Sequence, residues 1–208
     1  MSPGVIELRQ YQLHPGRRDE LIELFDAFLV EPQERAGMRV LGQFRDLDRP
    51  DWFVWLRGFG DMASRTAALG DFYNGPVWAQ HRAAANATMV DSDDVLLLRP
   101  APSHAPSWEP GRAIGLVEIV VQTVAPGEED RALRGVDAQP LAVLVTEPTA
   151  NGFPALPVRE GECVVVTVAA FDNTADHARY RDLAGRPGEG AQVLRLAPTA
   201  RSRLGSAT

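Results

Sequence analysis

A chain of 208 residues, 45% hydrophobic and 24% charged, has the composition of a soluble globular protein with one large domain or two small ones. A net charge of −7 with no basic stripe excludes a nucleic-acid partner, and no apolar run approaches the roughly 18 residues of a membrane span. The opening MSPGVIELRQ has no basic or apolar leader region, so a cytoplasmic location is expected. All 21 basic residues are arginine, which rules out Schiff-base, phosphate-loop and general-base lysines and reads as the mark of a GC-rich bacterial genome. Cys163 has no partner cysteine, and the four histidines lack metal-ligand spacing, so neither a metal nor a cofactor is expected.

Residues 5–13 alternate as a half-buried strand, and residues 17–31 switch to helical period with Leu21, Leu24, Phe25, Phe28 and Leu29 on one stripe. Pro32 is expected to end or kink that helix. Residues 38–46 and 52–59 read as two strands joined by a turn-rich hairpin connection. Asp61 is a credible cap for a helix through about Leu69, and Asn74-Gly75-Pro76 opens a second helix to about Ala87. The acidic run Asp91 to Asp94 reads as a turn before a strand ending at Pro100. The order is β-α-β-β-α-β, the split unit of ferredoxin-like folds.

A proline- and serine-rich linker (101–112) leads to a second, reduced copy over 113–198, followed by a tail (199–208). Pro15-Gly16 aligns with Pro126-Gly127, Phe59 with Phe171, and Val95-Leu96-Leu97-Leu98 with Val193-Leu194-Arg195-Leu196. The changing offset between the copies means that the second has a shorter first helix and a longer hairpin loop around Asn151-Gly152. It also lacks the counterpart of residues 74–88. The expected fold is α+β: two tandem ferredoxin-like repeats (1–100 and 113–198) whose antiparallel sheets form one barrel, within a chain or between two.

Both copies place matching aliphatics on one sheet face, Ile6, Leu8, Val54 and Leu56 against Val117, Ile119, Val166 and Val168, and these are assigned to the helix side. The other face of the first copy holds Glu7, Arg9, Tyr11, Gln43, Arg45, Trp55 and Arg57, and is assigned to a partly polar barrel cavity. These residues and Trp78 are the candidate ligand contacts, with excess arginine favouring an anionic ligand. The same residues also fit a purely structural role, with Glu7 pairing to arginine to hold two sheets in register. His81, three residues after Trp78 on a helix, is the candidate acid or base.

The segments IELRQYQLHPGRRDEL, MRVLGQFRDLDRPDWFVWLRGFGDM and FYNGPVWAQHRAAANATMVDSDDVLLLRP resemble the NIPSNAP family over residues 5–100, most specifically in Glu-Leu-Arg-x-Tyr at 7–11 and the closing Asp-Val-Leu-Leu-Leu-Arg-Pro. The resemblance implies a dimeric α+β barrel superfamily fold and supplies no catalytic residues. Two functions fit these residues. One is binding or transforming a small, anionic organic molecule of bacterial metabolism in the barrel, in a homo-oligomer such as a dimer. The other is a non-catalytic structural or protein-interaction role.

Overall fold

The computed structural model describes residues 2–102, 104–108, 113–136, 140–185 and 187–205. Parts of the expected linker (103 and 109–112) and of the tail (206–208) lie outside the described residues. In the first repeat, β1 (Val5–Leu13) leads into α1 (Arg18–Leu24), a wide helical turn (Phe25–Leu29) and α2 (Val30–Arg35). Then come β2 (Arg39–Asp46), β3 (Trp52–Phe59), α3 (Met62–Tyr73), α4 (Pro76–Asn86) and β4 (Met89–Pro100). The second has β5 (Leu116–Val124), α5 (Glu129–Arg134), β6 (Ala142–Thr146), β7 (Cys163–Phe171), α6 (Thr174–Ala184) and β8 (Gln192–Pro198).

The eight strands close into one barrel in the order β1-β3-β2-β8-β5-β7-β6-β4, so closure is achieved within a single chain. Each repeat keeps its own β-α-β-β-α-β order. The seams are the antiparallel pairs β2–β8 (Phe44 opposite Pro198) and β4–β6 (Arg99 opposite Val145). Both repeats leave their first strand through a Pro-Gly turn whose glycine has positive φ, 77° at Gly16 and 88° at Gly127, a conformation a side chain would strain. The proline at position 32 does not end its helix. Its missing N–H and its ring, which crowds the Phe28 carbonyl, are accommodated by the wide turn just before α2. The acidic run is part of β4 rather than a turn; its register against β1 shifts near Gln10–Gln12.

The face assignment made from the sequence is inverted. Ile6, Leu8, Val54 and Leu56 join Val117, Ile119, Val166 and Val168 in one apolar cluster drawn from both repeats, which fills the barrel interior. Tyr11, Phe53 and Trp55 pack instead with Leu21, Phe25, Leu29, Leu69 and Phe72 of the covering helices. The reason is geometric. A closed barrel buries both faces of its sheet, and the aliphatic face both repeats share is the one they present to each other. The helix side can hold polar groups because helices supply partners. The expected linker also enters the interior: its Trp108 belongs to the barrel cluster, as do Ile114 at the start of the second repeat and Leu204 beyond β8. The lumen is a packed core, so the polar barrel cavity expected from the sequence is not formed by these residues.

Candidate functional site

Glu7, Arg9, Tyr11, Trp55 and Arg57 are brought together, but beneath the helices of the first repeat. The register of β1 on β3 sets Glu7 opposite Arg57 and Arg9 opposite Trp55, with all four side chains on one face. The α3 cap then aims a third arginine at the same carboxylate. Asp61 accepts from the Ser64 backbone N–H at 2.7 Å while the Ser64 hydroxyl accepts from the Asp61 N–H at 2.9 Å, a reciprocal box that fixes the first turn. Arg65, one turn on, reaches down to the sheet.

Glu7 is fully buried and accepts from three guanidinium groups, Arg9 Nη1 at 2.8 Å, Arg57 Nε at 2.6 Å and Arg65 Nε at 2.6 Å. Around them, Arg9 Nε donates to the Tyr11 hydroxyl at 2.9 Å, Arg57 Nη1 to Gln33 Oε1 at 3.0 Å, and Arg65 Nη1 to Asn151 Oδ1 at 2.9 Å. Arg9, Arg57 and Arg65 are each at most 1% exposed. Burial pushes the Glu7 carboxyl up, but Arg57, Arg9 and Arg65 overcome it and hold the group well below the usual carboxylate range. Burial raises the Tyr11 phenol above its ordinary value, so it is a neutral hydroxyl at physiological pH.

Charge in this cluster is unbalanced. Three guanidinium groups face one carboxylate, an excess of two positive charges, and among the described residues no second carboxylate bonds to any of the three. Aromatic faces compensate in part: Arg9 lies 5.6 Å and Arg57 5.0 Å from the Trp55 ring, and Arg57 5.8 Å from Tyr73. Directional donors are left over. Arg57 Nη2, Arg65 Nη2 and Trp55 Nε1 are buried with no hydrogen-bond partner among the described residues. Buried orphan donors of this kind each cost about 1–3 kcal/mol, more for charged groups.

The other candidates lie at the margins. Gln43, opposite Trp55, donates its side-chain amide to Asp26 at 3.3 Å, and its Oε1 has no partner among the described residues. Arg45 is part-exposed and bonds Asp19 at 3.0 Å. Trp78 packs on Tyr73 at 5.0 Å, one layer outside the arginines. His81 is half-buried and stacks at 4.3 Å on Phe28, which is itself 48% exposed. Among the described residues, His81 has no hydrogen bond or ion pair.

Sequence reasoning missed Arg65, Gln33, Tyr73 and Asn151, which complete the cluster. Asn151 comes from the lengthened β6–β7 loop of the second repeat, whose Phe153 packs on Tyr73 at 6.1 Å, so that loop covers the first repeat's arginines. The second repeat holds a counterpart: Glu118 bonds His177 at 2.7 Å and the Arg181 Nε at 2.8 Å. The available signal was positional. Arg65 and His177 sit four residues after the helix caps Asp61 and Asn173.

Residues 6–104 match the NIPSNAP family model. Among solved structures, an anthrone oxidase-like protein aligns over 100% of this chain and 96% of its own, at 13% identity and a TM-score of 0.61. A candidate monooxygenase from Fusobacterium nucleatum subsp. nucleatum covers 95% of this chain and 93% of its own, at 8% identity and a TM-score of 0.58. A NIPSNAP-like domain protein from Burkholderia xenovorans covers 49% of this chain and 89% of its own, at 23% identity and a TM-score of 0.45. The two full-length likenesses share the whole α+β barrel fold and, at these identities, only the fold. No curated protein matches the chain in sequence.

Proposed function

We propose, for a chain whose residues 6–104 match the NIPSNAP family, that it binds a small anionic organic molecule between sheet and helices of the first repeat. The observation that carries this reading is the buried excess of guanidinium. Uncompensated buried charge costs several kcal/mol, and a carboxylate or similar oxyanion would accept from the Nη2 groups of Arg57 and Arg65, which have no hydrogen-bond partner among the described residues. Trp55 Nε1 would supply a further neutral donor, and the Tyr11 hydroxyl stands one hydrogen bond away through Arg9. Glu7 then serves as the internal counterion that orients all three arginines. Access requires the β6–β7 loop to release Asn151 from Arg65.

The test is a thermal-shift panel of small carboxylates against the uncharged amides of the same acids. Saturable stabilisation by at least one acid and none by its amide supports the reading. Stabilisation by neither removes it.

A second reading, a non-catalytic structural or protein-interaction role, has its own support in the closure of the cluster. Interlocked ion pairs and rings fill the helix–sheet layer, as expected of a device that fixes α3 on the sheet. The same panel separates the two, since a purely structural cluster gains nothing from added anion.

A further inference from the structure

The two repeats differ at matching stations of the helix–sheet layer. In the first, Arg9, Trp55 and Arg57 fill that layer and are at most 2% exposed. The register of β5 on β7 sets Glu118 opposite Ala169 and Val120 opposite Thr167, repeating that of Glu7 opposite Arg57 and Arg9 opposite Trp55. Three large side chains are thus replaced by Val120, Thr167 and Ala169. The cover is thinner as well: α5 has six residues, and among the described residues no helix corresponding to α4 separates α6 from β8.

Shorter side chains under a thinner cover leave space. A cavity of about 340 Å³ lies against β5, β7 and α6, lined by Val120, Thr167, Ala169, Tyr180, Arg181 and Leu183 among others. That is within the range of about 300–1,000 Å³ typical of small-molecule sites. Its polar wall differs from the first repeat's. Arg181 donates to both oxygens of Glu118 and to the Gly185 carbonyl, so its charge is matched locally. His177 bonds the same carboxylate. Among the described residues, the Tyr180 and Thr167 hydroxyls have no hydrogen-bond partner and nothing covers Leu183 on α6, which is 90% exposed.

We infer that this cavity is a second binding site, for a small, uncharged, largely apolar molecule carrying one hydrogen-bonding oxygen: an alcohol, phenol or ketone. Its apolar body lies on Val120, Ala169 and Leu183, and its oxygen meets the hydroxyl of Tyr180 or Thr167. An anion is disfavoured, because Arg181 is already neutralised and the Glu118 carboxylate stands behind it. The inference is independent of the anion reading for the first repeat, since it uses other residues and the opposite ligand charge.

The experiment is an NMR titration of the full chain with p-cresol, with 4-methylbenzoate as the anionic control. Saturable p-cresol binding is expected, with intermolecular NOEs to the methyl groups of Val120, Ala169 and Leu183. 4-Methylbenzoate is expected to bind this site at least tenfold more weakly. Ala169→Phe, which fills the cavity, should weaken p-cresol at least tenfold, whereas His81→Ala on the other repeat should leave it unchanged. Absence of saturable binding, NOEs to other methyls only, benzoate binding as tight as cresol, or an unaffected Ala169→Phe would each overturn the inference. The NOE pattern of the unmodified protein decides the matter even if Ala169→Phe does not fold.

Discussion

Arg65 and His177 occupy the same station in the two repeats. Each is the fourth residue after its helix cap, and each bonds the buried carboxylate of its sheet's first strand, Arg65 to Glu7 at 2.6 Å and His177 to Glu118 at 2.7 Å. The duplicated unit therefore carries a duplicated tie between first strand and second helix. Its strength differs, because Glu7 gathers three fully buried arginines while Arg181 beside Glu118 is 21% exposed.

Glu7→Gln should consequently cost about 3–5 kcal/mol, since it leaves three buried guanidinium groups without a counterion. In a chain of this size that is a fall in Tm on the order of 10 °C. Glu118→Gln should cost clearly less, about 1–3 kcal/mol, because Arg181 is part-exposed and can turn to solvent. Thermal melts of the two variants check the ranking. Equal losses would contradict it.

Acid should act through the same residue. The folded-state Glu7 carboxyl is held below its unfolded value, so its contribution to stability is fully present above about pH 4.3 and is lost as pH falls below that. The Tm of the unmodified protein should drop between pH 5 and pH 3 more steeply than that of Glu7→Gln, which has no proton to take up there. Parallel curves would mean that Glu7 is not the titrating tie.

Asn151→Ala removes the acceptor of Arg65 Nη1 and two hydrogen bonds that shape its own loop, to the Phe153 N–H and the Leu156 carbonyl. A loss of about 1–3 kcal/mol is expected in chemical denaturation. Proteolysis near residues 147–162 should rise at the same time, because the β6–β7 loop is then freed from the first repeat.

His81→Ala should do little. The ring stacks on a half-exposed phenylalanine and reaches none of the arginines, so stability should fall by less than about 1 kcal/mol and anion-induced stabilisation should be unchanged. Loss of anion response in this variant would return His81 to the site.

The repeat was legible in the sequence because its anchors are local: two Pro-Gly turns, two caps and two aliphatic strand faces survive at matching offsets. The sheet orientation was not. Ile6 and Leu8 look like residues that helices should cover, and only closure of the barrel shows that the sheets cover them for each other. The cluster was half legible. Glu7, Arg9, Tyr11, Trp55 and Arg57 follow from strand alternation and register, whereas Arg65, Gln33 and Asn151 come from three other elements and meet only in three dimensions. His81 drew attention by residue type, and residue type carries no information on where a helix face points.

The most direct test of the anion reading is native mass spectrometry of the freshly purified 22.7 kDa chain, followed by release and identification of whatever it carries. The expected result is a fraction of chains heavier by one small acidic molecule, lost in Arg57→Met and Arg65→Met variants that remain folded by circular dichroism. A bare chain throughout, with no adduct restored by adding small carboxylates, would contradict the anion site and leave the buried arginines a structural tie alone.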